Sequence, residues 1–173
     1  MGERTAGTIW TLGHSTHELP VLLGLLRGAG IEVVADIRTQ PFSRWNPQFN
    51  RERLRAALDD AGLGYVFLGA ELGGRPPEAE FYDGAGHVRY GVVARTERFN
   101  SGLDRLLDGA GEYRVAMLCS EEDPAHCHRR LLVGRVLVGR GVGVVHIRGD
   151  GSVVADQRLG PYPPDVSQDS LFG

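Results

Sequence analysis

The residues able to do chemistry fall in three short stretches: His14-Ser15, Asp36 with Arg38, and Cys119-Ser120-Glu121 running on to His126-Cys127-His128-Arg129. An imidazole such as His14 titrates near neutrality and serves as a general acid or base. A carboxylate held beside a guanidinium stays ionised and orients a partner, here Asp36 beside Arg38 with His14 as the partner. The same pair also reads as an ordinary ion pair at a strand end. Ser15 has an equally plain alternative as a helix cap. Arg38 and Arg44 supply forked donors suited to clamping a phosphate or carboxylate. Cys119 stands before a helix start, where amides and the helix dipole lower a thiol's pKa, although a buried Cys also packs as a small apolar residue. Glu121 offers a second acid or base. His128 and Arg129 fall in the first turns of the following helix, so at least one is expected to face the site.

Cys119, His126, Cys127 and His128 are all competent zinc ligands. Neighbouring residues on a helix project about 100° apart, however, and the spacing matches no standard zinc pattern. No metal site and no cofactor are predicted.

These stretches need elements to position them. Thr8–Leu12 reads as a strand, followed by a leucine-spaced helix with Thr16 as its N-cap. Val33–Ile37 is a second strand, Asn50 caps a helix bearing Leu54 and Leu58, and Tyr65–Leu68 is a third strand. Glu71–Gly91 lacks a period and reads as a long surface loop. A helix with Phe99, Leu103 and Leu106 precedes the central strand Arg114–Cys119, and Pro124 opens a helix running past Leu137. Val142–Ile147 is a fifth strand, and Asp150-Gly151 turns into Val153-Val154. The glycines at 139–143 precede a strand, the reverse of a dinucleotide fingerprint.

This alternation predicts an α/β fold: one three-layer domain over residues 1–160 with a mainly parallel sheet of about five strands, and an extended tail over 161–173. A strand order of 3-2-1-4-5 makes strands 2, 1 and 4 neighbours. All three stretches then converge on one crevice beyond their carboxyl ends.

Composition narrows the function. The chain has 173 residues, a net charge of −3 and an apolar fraction of 42%, which fits a globular domain and excludes a strongly basic nucleic-acid footprint. All 19 basic residues are Arg, so Schiff-base lysine chemistry and a P-loop lysine are ruled out. With no membrane-length apolar run, no secretory leader pattern and only two cysteines, a cytoplasmic protein without a membrane partner is expected.

The motifs together resemble the domain of unknown function 488 family. They are Leu12-Gly13-His14-Ser15, Asp36-Ile37-Arg38 with Pro41 and Ser43-Arg44, Leu72-Gly73-Gly74-Arg75, and Cys119-Ser120-Glu121 with Cys127-His128-Arg129, spanning about Thr8 to His146. The family pattern often carries Ala where this chain has Ser120. The resemblance implies a compact α/β fold, adds Arg75 to the shared residues, and supplies no settled activity. Relatives labelled as linked to DNA repair suggest a nucleotide or nucleic-acid connection.

Two functions compete, with a metalloprotein built on the zinc-competent residues above as a third. One is an enzyme acting on a small anionic or nucleotide-like substrate. His14, Asp36, Cys119 and Glu121 would be its catalytic groups, with Cys119 a possible nucleophile. Ser15, Arg38, Arg44, Arg75, His128 and Arg129 would bind the anion. The other is a non-catalytic nucleotide or nucleic-acid binding module, with Phe42, Trp45 and Phe49 interleaved with Arg44 for base stacking. Against that, the three aromatics are expected to plug the core below their loop.

Overall fold

The computed structural model describes residues 7–164. Chain order runs β1 Thr8–Gly13, α1 Leu19–Gly28, β2 Val33–Asp36, α2 Arg51–Asp60, β3 Gly64–Phe67, α3 Gly69–Leu72, α4 Tyr90–Val93 and α5 Glu97–Ala110. β4 Val115–Cys119, α6 Arg135–Gly139, β5 Gly143–Ile147 and β6 Val153–Ala155 complete it.

The sheet has six strands in the order β3-β2-β4-β1-β5-β6, parallel except for β6, which pairs antiparallel with β5. The α/β class stands. The expected order 3-2-1-4-5 is corrected: β4 lies between β2 and β1, and a sixth strand closes the edge.

Side chains alternate across a strand, so the apolar partners reveal each face. Leu12, Val34, Ala116, Leu118 and Ile147 pack against Leu22 and Leu26 of α1 and Leu54 and Leu58 of α2. On the other face Ala35, Ile37, Val115, Met117 and Val144 meet Phe99, Leu103 and Leu106 of α5 and Leu132, Val133 and Leu137. Each fully buried Val, Leu, Ile, Phe or Met side chain among these stabilises by roughly 1.5–3 kcal/mol. β1 and β2 therefore lead into helices on one face, whereas β4, between them, leads to the other. The loops diverge around the β4 end, and diverging loops at a parallel sheet's carboxyl edge open a crevice.

Several local expectations change. The N-cap of α1 is Glu18 rather than Thr16, and it makes no side-chain cap bond. Asn50 caps α2 by position, but its side chain accepts from the Ser43 amide instead. The 71–91 stretch contains a 3₁₀ turn at Ala79–Phe81, a bridge between Tyr82 and Val88, and α4. Pro124 opens only a 3₁₀ turn, Pro124–His126; a π-helical segment, Arg129–Gly134, then leads into α6. Of the 161–173 tail, 161–164 are described and pinned: the Tyr162 hydroxyl donates to Asp156, and Arg135 donates to the Pro163 carbonyl. The rest of that tail lies outside the described residues. Among the described residues no helix is long and apolar enough to cross a membrane.

Candidate functional site

Two hollows adjoin at the carboxyl end of β4. The larger, about 750 Å³, is lined by Arg38, Arg75, Tyr90, Cys119, Glu121, Cys127, His128 and Arg135 among others. The smaller, about 290 Å³, is lined by His14, Ser15, Phe42 and Glu122 among others, and shares Arg38, Gln40, Ser120 and Glu121 with its neighbour. The register explains the split. Asp36 pairs with Leu118, so Asp36 shares Leu118's sheet face and Cys119 takes the opposite one.

On the first face the Asp36 carboxylate is fully engaged. Asp36 accepts two side-chain bonds from Arg38 at 2.9 and 2.8 Å, the Arg38 amide at 3.2 Å, and the Tyr65 hydroxyl at 2.7 Å. Burial and that bond to Asp36 push the Tyr65 hydroxyl up. No hydrogen bond joins Asp36 to His14, so the carboxylate positions Arg38 rather than the imidazole. His14 stacks on Phe49 at 4.6 Å between ring centroids, and its Nδ1–H donates to the Ser15 carbonyl at 2.8 Å. Burial lowers its pKa to about 4, so the ring is neutral at physiological pH. Ser15 has a positive φ of 49° and its amide bonds Ser120, which extends the β1–β4 ladder one step past the strands.

The second face holds a triangle. Cys119 Sγ lies 3.2 Å from Cys127 Sγ and 3.5 Å from His128 Nδ1, and Cys127 Sγ lies 3.9 Å from that nitrogen. His128 Nε2 sits 3.0 Å from the Ile37 carbonyl. A carbonyl can only accept, so Nε2 carries the proton and the neutral ring turns the Nδ1 lone pair to the thiols. Gly74 fixes that ring: a Cβ there would stand 2.6 Å from His128 Cγ. Gly73 is equally tight against Thr39, and the Thr39 hydroxyl accepts the Arg75 amide at 3.0 Å. This close approach is the reason for two adjacent glycines before Arg75.

Arg129 lies beneath the triangle, fully buried. It donates to the Thr11 hydroxyl at 3.0 Å, to the Glu121 carbonyl, and to the Glu122 carbonyl at 2.8 Å. Among the described residues no carboxylate pairs with it. The Cys119 thiol falls to about 7, through the hydrogen bond from Cys127 foremost, with the Arg129 charge and the Ser120 and Glu121 amides assisting. The Cys127 thiol is pushed up by its bond to Cys119 and by burial, so Cys127 keeps its proton.

Of the predicted residues, the larger hollow gathers Arg38, Arg75, Cys119, Glu121 and His128, and the smaller gathers His14 and Ser15 with Arg38 and Glu121. Three do not line either. Asp36 is buried behind Arg38. Arg44 is exposed and borders neither hollow, so it clamps nothing there. Arg129 spends its donors on the 121–122 backbone and cannot hold a ligand anion. The 42–49 aromatics divide: Phe49 plugs the core as expected, whereas Phe42 is 72% and Trp45 85% exposed.

Sequence reasoning missed Tyr90, Arg135 and the role of Cys127. Tyr90 carried no signal, because only the return of a distant helix brings it to the hollow, whereas Arg135 stands seven residues after His128 on one helical run and its spacing could have found it. Cys127 was dismissed on helical geometry, yet its backbone is extended, with φ −101° and ψ 145°, so Cys127 and His128 do converge. Also unforeseen is a buried chain in which Thr11 donates to His146 Nδ1 at 2.6 Å, and His146 Nε2–H and Arg130 donate to Asp156 at 2.8 and 3.1 Å.

No curated protein and no solved structure matches the chain. The family model described as domain of unknown function DUF488 matches residues 19–136, a stretch that holds the Asp36–Arg38 pair, the Gly73-Gly74-Arg75 turn and the Cys119–Cys127–His128 triangle and omits His14. On that match the chain belongs to the DUF488 family.

Proposed function

We propose that the protein is an enzyme acting on a small anionic or nucleotide-like substrate bound in the larger hollow. One observation carries this reading: a thiol lowered to about 7 and a lone-pair nitrogen of fixed tautomer meet at 3.5 Å on the floor of a cavity of about 750 Å³. Perturbed groups clustered in a cleft favour a reactive centre over a passive binder. The Cys119–Cys127–His128 triangle is that centre. Arg75 and Arg135 line the cavity, and among the described residues neither is held in an ion pair; Arg135 gives one N–H to the Pro163 carbonyl and keeps its other donors for an anion. Glu121 supplies a carboxylate for proton transfer. His14 and Asp36 support this site from beside it: His14 in the neighbouring hollow as a neutral ring against Phe49, Asp36 from behind the shared wall by holding Arg38.

Protection of the thiol tests the reading. Inorganic phosphate or a nucleoside monophosphate should slow alkylation of Cys119 by iodoacetamide, and the Arg75→Ala, Arg135→Ala double variant should lose that protection. Alkylation at the same rate with and without every anion tried would sink the anionic-substrate reading.

A second reading rests on the exposure of Phe42 and Trp45 beside the exposed Arg44. Flat aromatic faces next to a guanidinium suit base stacking, which favours a nucleic-acid or nucleotide binding module, consistent with a DNA-repair link. Single-stranded DNA should then quench Trp45 fluorescence, with binding weakening steeply as salt rises. Quenching absent in Trp45→Ala and present in the native chain identifies the loop; no quenching at low salt excludes it.

A further inference from the structure

We infer that Cys119, Cys127 and His128 form a binding site for one thiophilic divalent cation of the zinc class, with a fourth coordination position open to the larger hollow. This deepens the reading of that hollow as a reactive cleft, while its own argument rests on geometry alone.

The three donor atoms stand close to three corners of a coordination tetrahedron. An ion with Zn–S bonds of about 2.3 Å and a Zn–N bond of about 2.05 Å sets the sulfur–sulfur edge at about 3.8 Å and each sulfur–nitrogen edge at about 3.5 Å. The observed edges are 3.2 Å between the sulfurs and 3.5 and 3.9 Å to the nitrogen. The largest departure is between the sulfurs, which must part by about 0.6 Å, a small rotation of one thiol. All three donor atoms lie within 4.8 Å of one another and all three residues line the cavity.

The surroundings of a metal site are present too. A ligating imidazole normally gives its far N–H to a carbonyl or carboxylate, which fixes tautomer and ring plane. Here the Ile37 carbonyl accepts that N–H at 3.0 Å, and Gly74 packs so closely on the ring that a Cβ there would stand 2.6 Å from its Cγ. The donors come from three backbone settings: the last residue of β4, an extended residue, and the start of the π-helical segment. That arrangement removes the objection that adjacent helical residues cannot share an ion.

Ligand softness selects the cation. Two sulfurs and one imidazole favour zinc-class ions and disfavour magnesium or calcium, which take oxygen. Two Cys and one His leave one tetrahedral position for a water or substrate oxygen, the pattern of a catalytic rather than a closed structural site. Within the hollow, that position would face the side from which an anionic substrate arrives.

The test uses the full chain, stripped with chelator and kept reduced by a phosphine. Zinc uptake should reach one equivalent by elemental analysis, and cobalt(II) should give a thiolate charge-transfer band with tetrahedral visible bands. Magnesium should leave the cobalt spectrum unchanged. Cys119→Ser and Cys127→Ser should each weaken zinc binding by more than ~100-fold with far-ultraviolet circular dichroism unchanged. Less than about a tenth of an equivalent of zinc in the native chain, or uptake undiminished in both variants, overturns the site. Zinc uptake without phosphate protection of the cleft keeps the metal site and removes the anionic-substrate reading. Phosphate protection without zinc uptake does the reverse.

Discussion

The two faces of the sheet at the β4 end make an instructive pair. Around Asp36 the carboxylate answers Arg38 and Tyr65, so nothing is left over for a ligand. Around Cys119 two sulfurs and a lone-pair nitrogen converge with only a weak S–H contact among them, facing an open cavity. Both are buried clusters of ionisable groups, and residue type alone would score them alike. The first is a fastener whose loss should cost stability. The second retains unused bonding capacity, so its loss should cost chemistry.

The largest effects expected are at the groups whose bonding capacity is spent, Arg129 beneath the triangle and Asp36 on the other face. Arg129→Met should lower unfolding free energy by about 3–5 kcal/mol, because it strands the Thr11, Glu121 and Glu122 acceptors and frees the loop that carries Glu121. Asp36→Asn should cost a similar amount by leaving the buried Arg38 guanidinium without its charge partner. Urea unfolding of each variant checks both, and a loss under 1 kcal/mol for Asp36→Asn would remove the distinction between the faces.

Next in size is pH. His14 titrates at about 4 when folded and at 6.5 when unfolded, so the unfolded chain binds the proton first. Stability is then full above about pH 6.5 and falls by up to about 3 kcal/mol as pH drops toward 4. Burial depresses His146 as well, which acts in the same direction. Melting curves across that range should flatten in His14→Phe relative to the native chain; an unchanged slope would mean another group dominates.

Gly74→Ala acts on the triangle's own face, since its methyl would press on His128. A loss of about 1–3 kcal/mol is expected, accompanied by a change in Cys119 reactivity that simple destabilisation elsewhere would not produce. The smallest stability effect belongs to the triangle itself. Cys119→Ser should shift Tm by only a few degrees. Native Cys119 should alkylate with a rate that rises through about pH 7, while Cys127, held protonated, labels slowly. A single midpoint near that of an ordinary thiol would show that the two sulfurs are not coupled.

Much of this was legible from residue order. The strand–helix alternation and the strand ends carrying His14, Asp36 and Cys119 followed from periodicity, since hydrophobic pattern is a local property, while the family resemblance rested on the motif residues themselves. The two-hollow division was not legible, because the face a residue takes depends on which strand its own strand pairs with and in what register. Placing β4 between β2 and β1 moved Cys119 and Asp36 to opposite faces, although both stand at strand ends. Arg44 and Arg129 show the same gap: forked donors near the right motif say nothing about whether a loop turns outward or a backbone carbonyl captures the guanidinium first.

By itself the sequence determined the α/β class, the absence of lysine chemistry and the identity of the groups near the crevice, because composition and short-range pattern are carried by the chain at every point. Only the tertiary structure decided which of those groups are satisfied and which are open. Hydrogen-bond saturation is set by neighbours distant in sequence, as when the Ile37 carbonyl fixes the tautomer of His128 and so aims its free nitrogen at Cys119.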